Sequence, residues 1–464
     1  MPKSRKRTFA SLGLLLILST LLTACGASLV RSANAGGQAA EAASIDGNGE
    51  QGPIKVVWWH TTGGQPGDTL NELVERFNDS QSEVEVEAVY RGTDAESLNG
   101  LRASLRAGAG PALMEISDLG SRSMIDSGAV VPMQQFIDGE SYDVSHLEEN
   151  LFARYTFDFR LYAMPFQAAT PVLYVNRDAF AAAGLDPKKL PKTYAEVEEA
   201  AKKLTENGMA GASFAVSGGL LEQLLSNRGA ELLNRGNGRK SPADEALIDR
   251  PAAVDTLNWW KKMIDAGTML NLGRSLDDTQ KAFDDGQIAM TIGSTASLRG
   301  IVQAAEGRFE VGTAPLPKPA QDEREPGGVT AEGSGLWILN DSPPDVQQAA
   351  WKFVKFLVEP EQQADWYVDT GYFPITRKAY DETSVRKNLA QYPQFRAAIK
   401  QLRGAEFTPA AQGPVMGVFP QARELAADAI EAALDGALPP QDALELASTE
   451  ITQLLREYNA AAAQ

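Results

Sequence analysis

The side chains that most often carry catalysis or bind metal ions are scarce in this sequence. It has two histidines, His60 and His146, and a single cysteine, Cys25, in 464 residues. A histidine-based metal site is therefore nearly excluded, as are a cysteine cluster and an intramolecular disulfide. The sequence contains no nucleophile elbow and no glycine-rich phosphate loop of the required spacing. These observations indicate no catalytic set, no metal and no cofactor.

A pair of carboxylates is the remaining arrangement that could do chemistry. Asp284 and Asp285 are adjacent, and two carboxylates are the usual machinery of glycoside hydrolysis. Because the chain has 61 acidic residues, chance pairs are expected, and we interpret these two as solvated. A secreted carbohydrate-active hydrolase remains the alternative function.

Cys25 stands where a thiol could carry lipid. Four basic residues lie within the first seven positions, and residues 12–22 are almost wholly apolar. This run is shorter than the ~20 residues of a membrane span and is typical of a signal-peptide h-region. It ends in Leu22-Thr23-Ala24-Cys25-Gly26, which resembles a bacterial lipobox. We expect residues 1–24 to be a signal peptide and residues 25–53 to be the lipidated cysteine and a flexible tether.

The charge balance limits the partners. The formal net charge is −18, and removing the four basic residues with the signal takes it to −22. A surface of this sign repels nucleic acid and anionic membranes. We therefore expect no nucleic-acid partner, and contact with the membrane through the lipid anchor only.

Polar and aromatic side chains directly follow several predicted strands. Tyr90 ends the second strand, Asp118 follows the third, and Thr295 and Ser297 follow the strand that ends at Ile292. In open α/β sheets, ligands bind at the carboxyl ends of the strands. A cleft for a polar solute needs aromatic faces together with hydroxyls and carboxylates. As a set these residues predict a binding site, although turn and capping chemistry could explain each one singly.

The elements that must position these residues follow from the hydrophobic pattern. The predicted strands are 54–60, 84–90, 112–116, 171–176, 214–216, 288–292 and 336–339. The predicted helices are 69–78, about 98–105, 179–183, 194–205, 254–266 and most of the chain from 344 onward. The alternation of strands and helices predicts a parallel α/β sheet. The ~410 residues after the tether exceed one typical domain, so two lobes are expected.

Several stretches are similar to those of one bacterial family. They are Trp59-His60, Phe166–Phe180, Ala183–Pro187, Ala289–Thr291, Leu336-Trp337 and Thr370–Thr376. On these stretches the chain resembles family 1 extracellular solute-binding proteins of ABC importers, and most closely their glycerol-3-phosphate-binding branch. The resemblance runs from about residue 54 to residue 458.

The resemblance implies an α/β, two-lobed periplasmic-binding-protein-like fold, with a ligand cleft between the lobes and a hinge of crossing strands. We expect residues 54–167 and 291–343 to form lobe 1. Residues 168–290 and the mostly helical 344–464 are then expected to form lobe 2. The implied function is to capture a polar solute outside the cytoplasm, at the cell surface or in the periplasm, and to deliver it to the ABC permease. The protein is expected to be a monomer and not an enzyme, and a structural surface lipoprotein is a further alternative.

The resemblance also implies ligand contacts, carried over by position. These positions are Tyr90, Asp118, Ser294, Thr295, Ser297, Gly333, Ser334 and Tyr372. Tyr90 and Tyr372 are expected to face the ligand from opposite lobes.

The family arginine that holds phosphate is expected within residues 412–417, which contain no arginine. Arg91, Arg299 or Arg423 would have to replace it, because arginine binds phosphate bidentately. A carboxylate at Asp118 accepts hydrogen bonds from hydroxyl groups but repels a phosphate dianion. A neutral sugar, an oligosaccharide or a glycerophosphodiester is therefore predicted to bind better than glycerol-3-phosphate.

Overall fold

The computed structural model describes residues 52–319 and 327–463. The predicted signal peptide, Cys25 and nearly all of the tether lie outside these residues. The strands are β1 (Ile54–His60), β2 (Val84–Tyr90), β3 (Leu113–Ser117), β4 (Val130–Val131), β5 (Thr156–Phe157), β6 (Arg160–Leu161), β7 (Met164–Ala169), β8 (Pro171–Asn176), β9 (Ala212–Ser213), β10 (Met269–Leu270), β11 (Met290–Ser294), β12 (Val311–Ala314) and β13 (Glu332–Leu339).

Helices cover most of the remaining described residues. The α-helices are α1 (Gly64–Ser80), α2 (Asp94–Ala107), α3 (Ser121–Asp126), α4 (Met133–Glu140), α5 (Glu149–Arg154), α6 (Arg177–Ala182), α7 (Tyr194–Glu206), α8 (Gly218–Asn227), α9 (Asn234–Asn237), α10 (Pro251–Asp265), α11 (Leu276–Asp284), α12 (Leu298–Ala305), α13 (Pro344–Leu357), α14 (Pro360–Thr370), α15 (Thr383–Gln391), α16 (Phe395–Arg403), α17 (Pro409–Gln412), α18 (Phe419–Leu434) and α19 (Pro440–Ala462). Short 3-10 helices span Asp118–Gly120, Thr295–Ser297 and Arg377–Asp381. Within the described ranges, no helix combines the length and the apolar character that a membrane span requires.

The larger sheet brings together strands from distant parts of the chain. β1 pairs in parallel with β2 and β3, as the strand–helix alternation predicts. β13 adds to β3 in the antiparallel direction and also pairs with β4 and β7. The resulting order is β2-β1-β3-β13-β4, with β7 beside β13. The carboxyl ends of β1 and β3 therefore lie close to the beginning of β13.

A smaller antiparallel sheet, β11-β8-β12, lies between two buried apolar clusters. Successive side chains of a strand point to opposite faces, and β8 divides its residues accordingly. Val172 and Tyr174 belong to the first cluster, whereas Leu173 and Val175 belong to the second. This strand is consequently buried on both faces, which explains its continuous apolar sequence.

The two clusters are the cores of the two expected lobes. The first contains the larger sheet and the helices α1, α13 and α14, and the second contains α7, α8, α10, α18 and α19. The chain passes between the clusters at several places, including 169–172, 293–297, 330–335 and 403–415. The first three include ends of β7, β8, β11 and β13 and correspond to the expected hinge of crossing strands, whereas 403–415 contains no strand.

The division of the C-terminal helices differs from the expected one. All of 344–464 was expected in lobe 2, but Trp351 and Trp366 are fully buried in the first cluster. Only the part from Met416 onward contributes to the second cluster. The physical reason is that helical periodicity shows which face of a helix is buried, but not which sheet covers that face.

Candidate functional site

A cleft of about 450 Å³ opens at the carboxyl ends of β1 and β3, beside the beginning of β13. Its walls combine hydroxyl, amide and carboxylate groups with one aromatic ring and one guanidinium. The lining residues are Thr61, Thr62, Gly63, Pro66, Thr93, Asp94, Glu115, Ser117, Asp118, Leu119, Gln167, Glu332, Gly333, Ser334, Tyr372 and Arg423. Such a mixture suits a small polar ligand. Among the described residues, no group of three or more His, Cys, Asp and Glu could hold a metal ion.

Glu115 organises the floor of the cleft. Its carboxylate accepts hydrogen bonds from Thr62 Oγ1 at 2.8 Å, Gln167 Nε2 at 2.8 Å and the Thr61 backbone amide at 3.2 Å. Burial raises the pKa of Glu115, and the hydrogen bonds from Ser334, Thr62 and Thr61 oppose this shift. A buried carboxylate with several donors holds the loop after β1 in one conformation. Glu115 is not among the predicted site residues, because it lies inside β3 and precedes the polar residues at the end of that strand.

Asp118 lies in the cleft as predicted, but its carboxylate is not free. It forms a buried ion pair with Arg154, which comes from α5, and each side chain is only 5% exposed. Arg154 Nη1 also donates to the backbone oxygen of Gln412 at 2.6 Å. The carboxylate that we expect to repel a phosphate dianion is therefore compensated inside the protein, and its contact with a ligand remains a prediction.

The charge of Arg154 is stabilised by its surroundings. Burial lowers the pKa of Arg154, but the charges of Asp118 and Glu222 outweigh this effect, so the pKa is raised. Asp118 also is not a helix N-cap, because it lies inside the 3-10 turn, whose N-cap is Ser117, and the following helix α3 has Gly120 as its N-cap. The pair with Arg154 is thus the main polar contact of the Asp118 side chain.

Gly333 and Ser334 lie in the cleft, as predicted, at the start of β13. A Cβ atom at Gly333 would overlap the backbone oxygen of Gln167, so the close approach of β7 requires glycine here. The buried Ser334 hydroxyl faces the Glu115 carboxylate and lowers its pKa. The hydroxyl of Ser117 is also buried, and it has no hydrogen-bond partner among the described residues, so it is available to a hydroxyl or amide group of a ligand.

Tyr372 is the aromatic wall of the cleft. Its ring stacks on Trp366, with ring centroids 6.0 Å apart and an interplanar angle of 11°. Burial raises the pKa of Tyr372. Because Trp366 belongs to the first cluster, Tyr372 stands on the same lobe as the sheet.

Tyr90 lies at the rim of the cleft, with its hydroxyl beside Gly63 of the lining, and its contact with a ligand remains a prediction. Tyr90 is 59% exposed at the end of β2, and its ring lies 5.8 Å from the ring of His60. Both tyrosines stand on the first lobe, so the expectation of one aromatic side chain from each lobe is wrong. Strand β2 is paired to β1 along its whole length, which fixes Tyr90 on the lobe of the larger sheet.

The structure does not bring Ser294, Thr295 and Ser297 to the cleft lining. Thr295 is fully buried, and its Oγ1 accepts a hydrogen bond from the Thr170 backbone amide at 3.2 Å. Ser294 Oγ accepts from the backbone amide of Ala296 at 3.2 Å and so caps a 3-10 helix. Thr170 and Thr295 connect two of the passages between the clusters. Their contact with a ligand remains a prediction.

Arg423 is the cation that the sequence could name only as one of three alternatives. It extends from α18 of the second lobe, and its guanidinium bonds Glu222 at 2.9 Å and Glu332 at 3.3 Å. Burial lowers the pKa of Arg423, but the charges of Glu222 and Glu332 outweigh it, so the pKa is raised. The other two candidates lie elsewhere. Arg91 stacks over Trp59 at 4.0 Å, and Arg299 donates to the backbone of 368–369.

Comparison with known proteins places the chain in one family. The model of the bacterial extracellular solute-binding proteins matches residues 72–397. The sn-glycerol-3-phosphate-binding periplasmic protein UgpB of Salmonella typhimurium is 31% identical over 412 residues, which cover 88% of this chain and 93% of that protein. UgpB of Escherichia coli K12 is 30% identical over 414 residues, with 88% and 94% covered.

Solved structures share the fold. The cyclic alpha-maltosyl-1,6-maltose binding protein from Arthrobacter globiformis superimposes with a TM-score of 0.73 at 22% identity, over 88% of this chain and 100% of that one. UgpB from Mycobacterium tuberculosis, solved with glycerophosphocholine, gives a TM-score of 0.72 at 22% identity, over 89% and 100%. The two-lobed α/β fold predicted from the sequence is thereby confirmed. This chain belongs to the bacterial extracellular solute-binding proteins.

Proposed function

We propose that this protein is the substrate-binding component of an ABC-type importer, and that it captures a sugar or a glycerophosphodiester outside the cytoplasm. The observation that carries the proposal is the cleft at the strand ends, with its hydroxyls, amide and stacked tyrosine. A polyol or sugar ring can pack its C–H groups on Tyr372 while its hydroxyl groups reach the polar wall. The curated relatives named above bind glycerol-3-phosphate, which supports a solute of similar size.

The charges of the cleft favour a neutral or zwitterionic ligand over free glycerol-3-phosphate. The lining contains four carboxyl side chains, from Asp94, Glu115, Asp118 and Glu332, but one guanidinium, from Arg423. Arg154 compensates Asp118, and Glu222 already compensates Arg423. A phosphate dianion would therefore enter a site with a surplus of negative charge, which is weakly screened inside a cleft.

Calorimetric titration tests the proposal. Glycerol-3-phosphate, glycerophosphocholine and maltose would each be titrated at low and high salt. We expect glycerophosphocholine or the sugar to bind more tightly than glycerol-3-phosphate, with a weak dependence on salt. A bound ligand should also raise the free energy of unfolding by about 2.7 kcal/mol at roughly one hundred times its Kd. Tightest binding of glycerol-3-phosphate, weakened by salt, would contradict the proposed ligand class.

A hydrolase receives no support from the carboxylate pair. Asp285 forms ion pairs with Lys281 at 2.7 Å and with Arg308 at 3.8 Å, and neither Asp284 nor Asp285 lines the cleft. Incubation of the protein with oligosaccharides and glycerophosphodiesters is expected to release no product beyond the amount of protein. Sustained product formation would overturn the proposal of binding without turnover.

We further propose that Cys25 carries a lipid that anchors the protein to the cell membrane as a monomer beside its permease. The lipobox-like sequence at residues 22–26 supports this. Cys25→Ala should release the protein from the membrane fraction or block its maturation, and Cys25→Ser should act in the same way. Unchanged fractionation and gel mobility in both variants would show that Cys25 is not lipidated.

A further inference from the structure

One ion pair of the cleft joins the two lobes. Glu332 begins β13 in the larger sheet, whereas Arg423 belongs to α18 of the second lobe. Their Oε1 and Nη2 atoms are 3.3 Å apart. The side chains are 36% and 24% exposed, and both line the cleft, so a solute can reach this pair.

Arg423 does not need Glu332 for charge compensation. Glu222 lies behind it with a side chain that is 1% exposed, and its Oε2 accepts from Arg423 Nε at 3.1 Å and Nη2 at 2.9 Å. Arg423 is the only hydrogen-bond or ion-pair partner of the Glu332 side chain within 52–319 and 327–463. The Arg423 guanidinium thus contacts two carboxylates, and the buried one, Glu222, already neutralises its charge. Glu332 is the second.

The backbone holds Glu332 in this place. Its neighbour Gly333 packs directly on the Gln167 carbonyl, and β13 pairs with β7 in a register that sets Glu332 opposite Ala169. The carboxylate can swing only through its own side-chain torsions, and it remains within reach of Arg423. An anionic group of a ligand that approaches Arg423 must compete with the Glu332 carboxylate.

We propose that Glu332 is a specificity-determining residue, which competes with the anionic group of a ligand for Arg423 and so selects against multiply charged anions. This inference rests on the proposed function and deepens it. A neutral polyol needs no cation, so the charge of Glu332 should not weaken its binding. A phosphodiester carries one negative charge and meets less repulsion from Glu332 than a dianion does.

The test removes the negative charge of Glu332 and keeps the shape of its side chain. Glu332→Gln would be compared with the unaltered protein and with Glu310→Gln, which makes the same charge change in a surface ion pair with Arg177, away from the cleft lining. The probes are inorganic phosphate, glycerophosphocholine and maltose, titrated by calorimetry. Thermal unfolding of each variant would verify that it is folded.

We expect Glu332→Gln to bind inorganic phosphate at least about tenfold more tightly than the unaltered protein. The reason is that the variant lacks one negative charge beside Arg423. Glycerophosphocholine should gain less, and maltose should not change beyond about twofold. Glu310→Gln should leave all three affinities unchanged. Arg423→Lys added to Glu332→Gln should lose most of the gain for phosphate, since the fork of donors is lost.

Two results would overturn the inference. One is a phosphate affinity in Glu332→Gln equal to that in Glu310→Gln, and the other is an equal gain for phosphate and maltose, which would indicate an effect on lobe opening instead of charge. The phosphate probe needs only an accessible Arg423. If phosphate binding improves while glycerophosphocholine and maltose bind to no variant, the role of Glu332 stands and the proposed ligand class fails.

Discussion

The buried ion pair between Arg154 and Asp118 leads to the sharpest stability prediction. Both side chains are 5% exposed, so solvent screens their interaction little. Replacing Arg154 by Met keeps much of the side-chain volume but leaves the Asp118 carboxylate buried without its cation. Breaking a buried pair in this way costs about 3–5 kcal/mol. Loss of the hydrogen bond to the Gln412 backbone oxygen adds about 1 kcal/mol.

The total expected loss is therefore about 4–6 kcal/mol of unfolding free energy. Equilibrium unfolding in urea, followed by far-UV circular dichroism and by tryptophan fluorescence, would measure it. Lys352→Met is the matched control, because Lys352 pairs with Glu83 on the surface, where the two side chains are 40% and 78% exposed. That variant should lose far less stability than Arg154→Met, because solvent screens an exposed ion pair.

A double-mutant cycle isolates the pair itself. Asp118→Asn combined with Arg154→Met removes both charges, and the double variant should be more stable than the sum of the two single losses implies, by at least about 1 kcal/mol. If Arg154→Met loses no more stability than Lys352→Met, or if the two losses simply add, the pair is not the buried interaction that the geometry describes.

Two further predictions concern the cleft. Burial raises the pKa of Glu115, so protonation of Glu115 favours the folded state. The stability of the unaltered protein relative to Glu115→Gln should therefore fall as the pH rises from about 4.5 through the raised pKa. Urea unfolding at several pH values would measure this difference. A flat difference would show that Glu115 does not titrate in this way. Tyr372→Ala should weaken glycerophosphocholine or sugar binding by roughly 1–4 kcal/mol. Tyr90→Ala should cost less, since Tyr90 is 59% exposed at the rim whereas Tyr372 is stacked on Trp366 in the cleft lining. Equal losses in calorimetry would contradict that order.

Local sequence was sufficient to predict a strand or helix whose own residues favour that backbone conformation. The predicted strands at 54–60, 84–90 and 171–176 agree with β1, β2 and β8, because runs of β-branched and aromatic residues favour extended backbone. The strand predicted at 214–216 is wrong, since the nearby strand is Ala212–Ser213. Phe214 and Val216 are apolar because they pack into the second cluster, and not because they pair in a sheet.

The strand-end pattern indicated Asp118, and the family resemblance supplied Gly333, Ser334 and Tyr372. These four residues lie together in the cleft lining, and their contact with a ligand remains a prediction. Glu115 could not be recognised, because a glutamate within an apolar strand carries no local sign that three donors will converge on it.

The sequence by itself determined the family, the two-lobed α/β class and most of the helices and strands. Tertiary structure decided which charges meet. Arg154 lies 36 residues from Asp118, and Arg423 lies 91 residues from Glu332 and 201 from Glu222. Periodicity and capping act over a few residues, whereas an ion pair depends on the packing of whole helices against sheets. The charge that a ligand meets in the cleft is therefore a property of the fold.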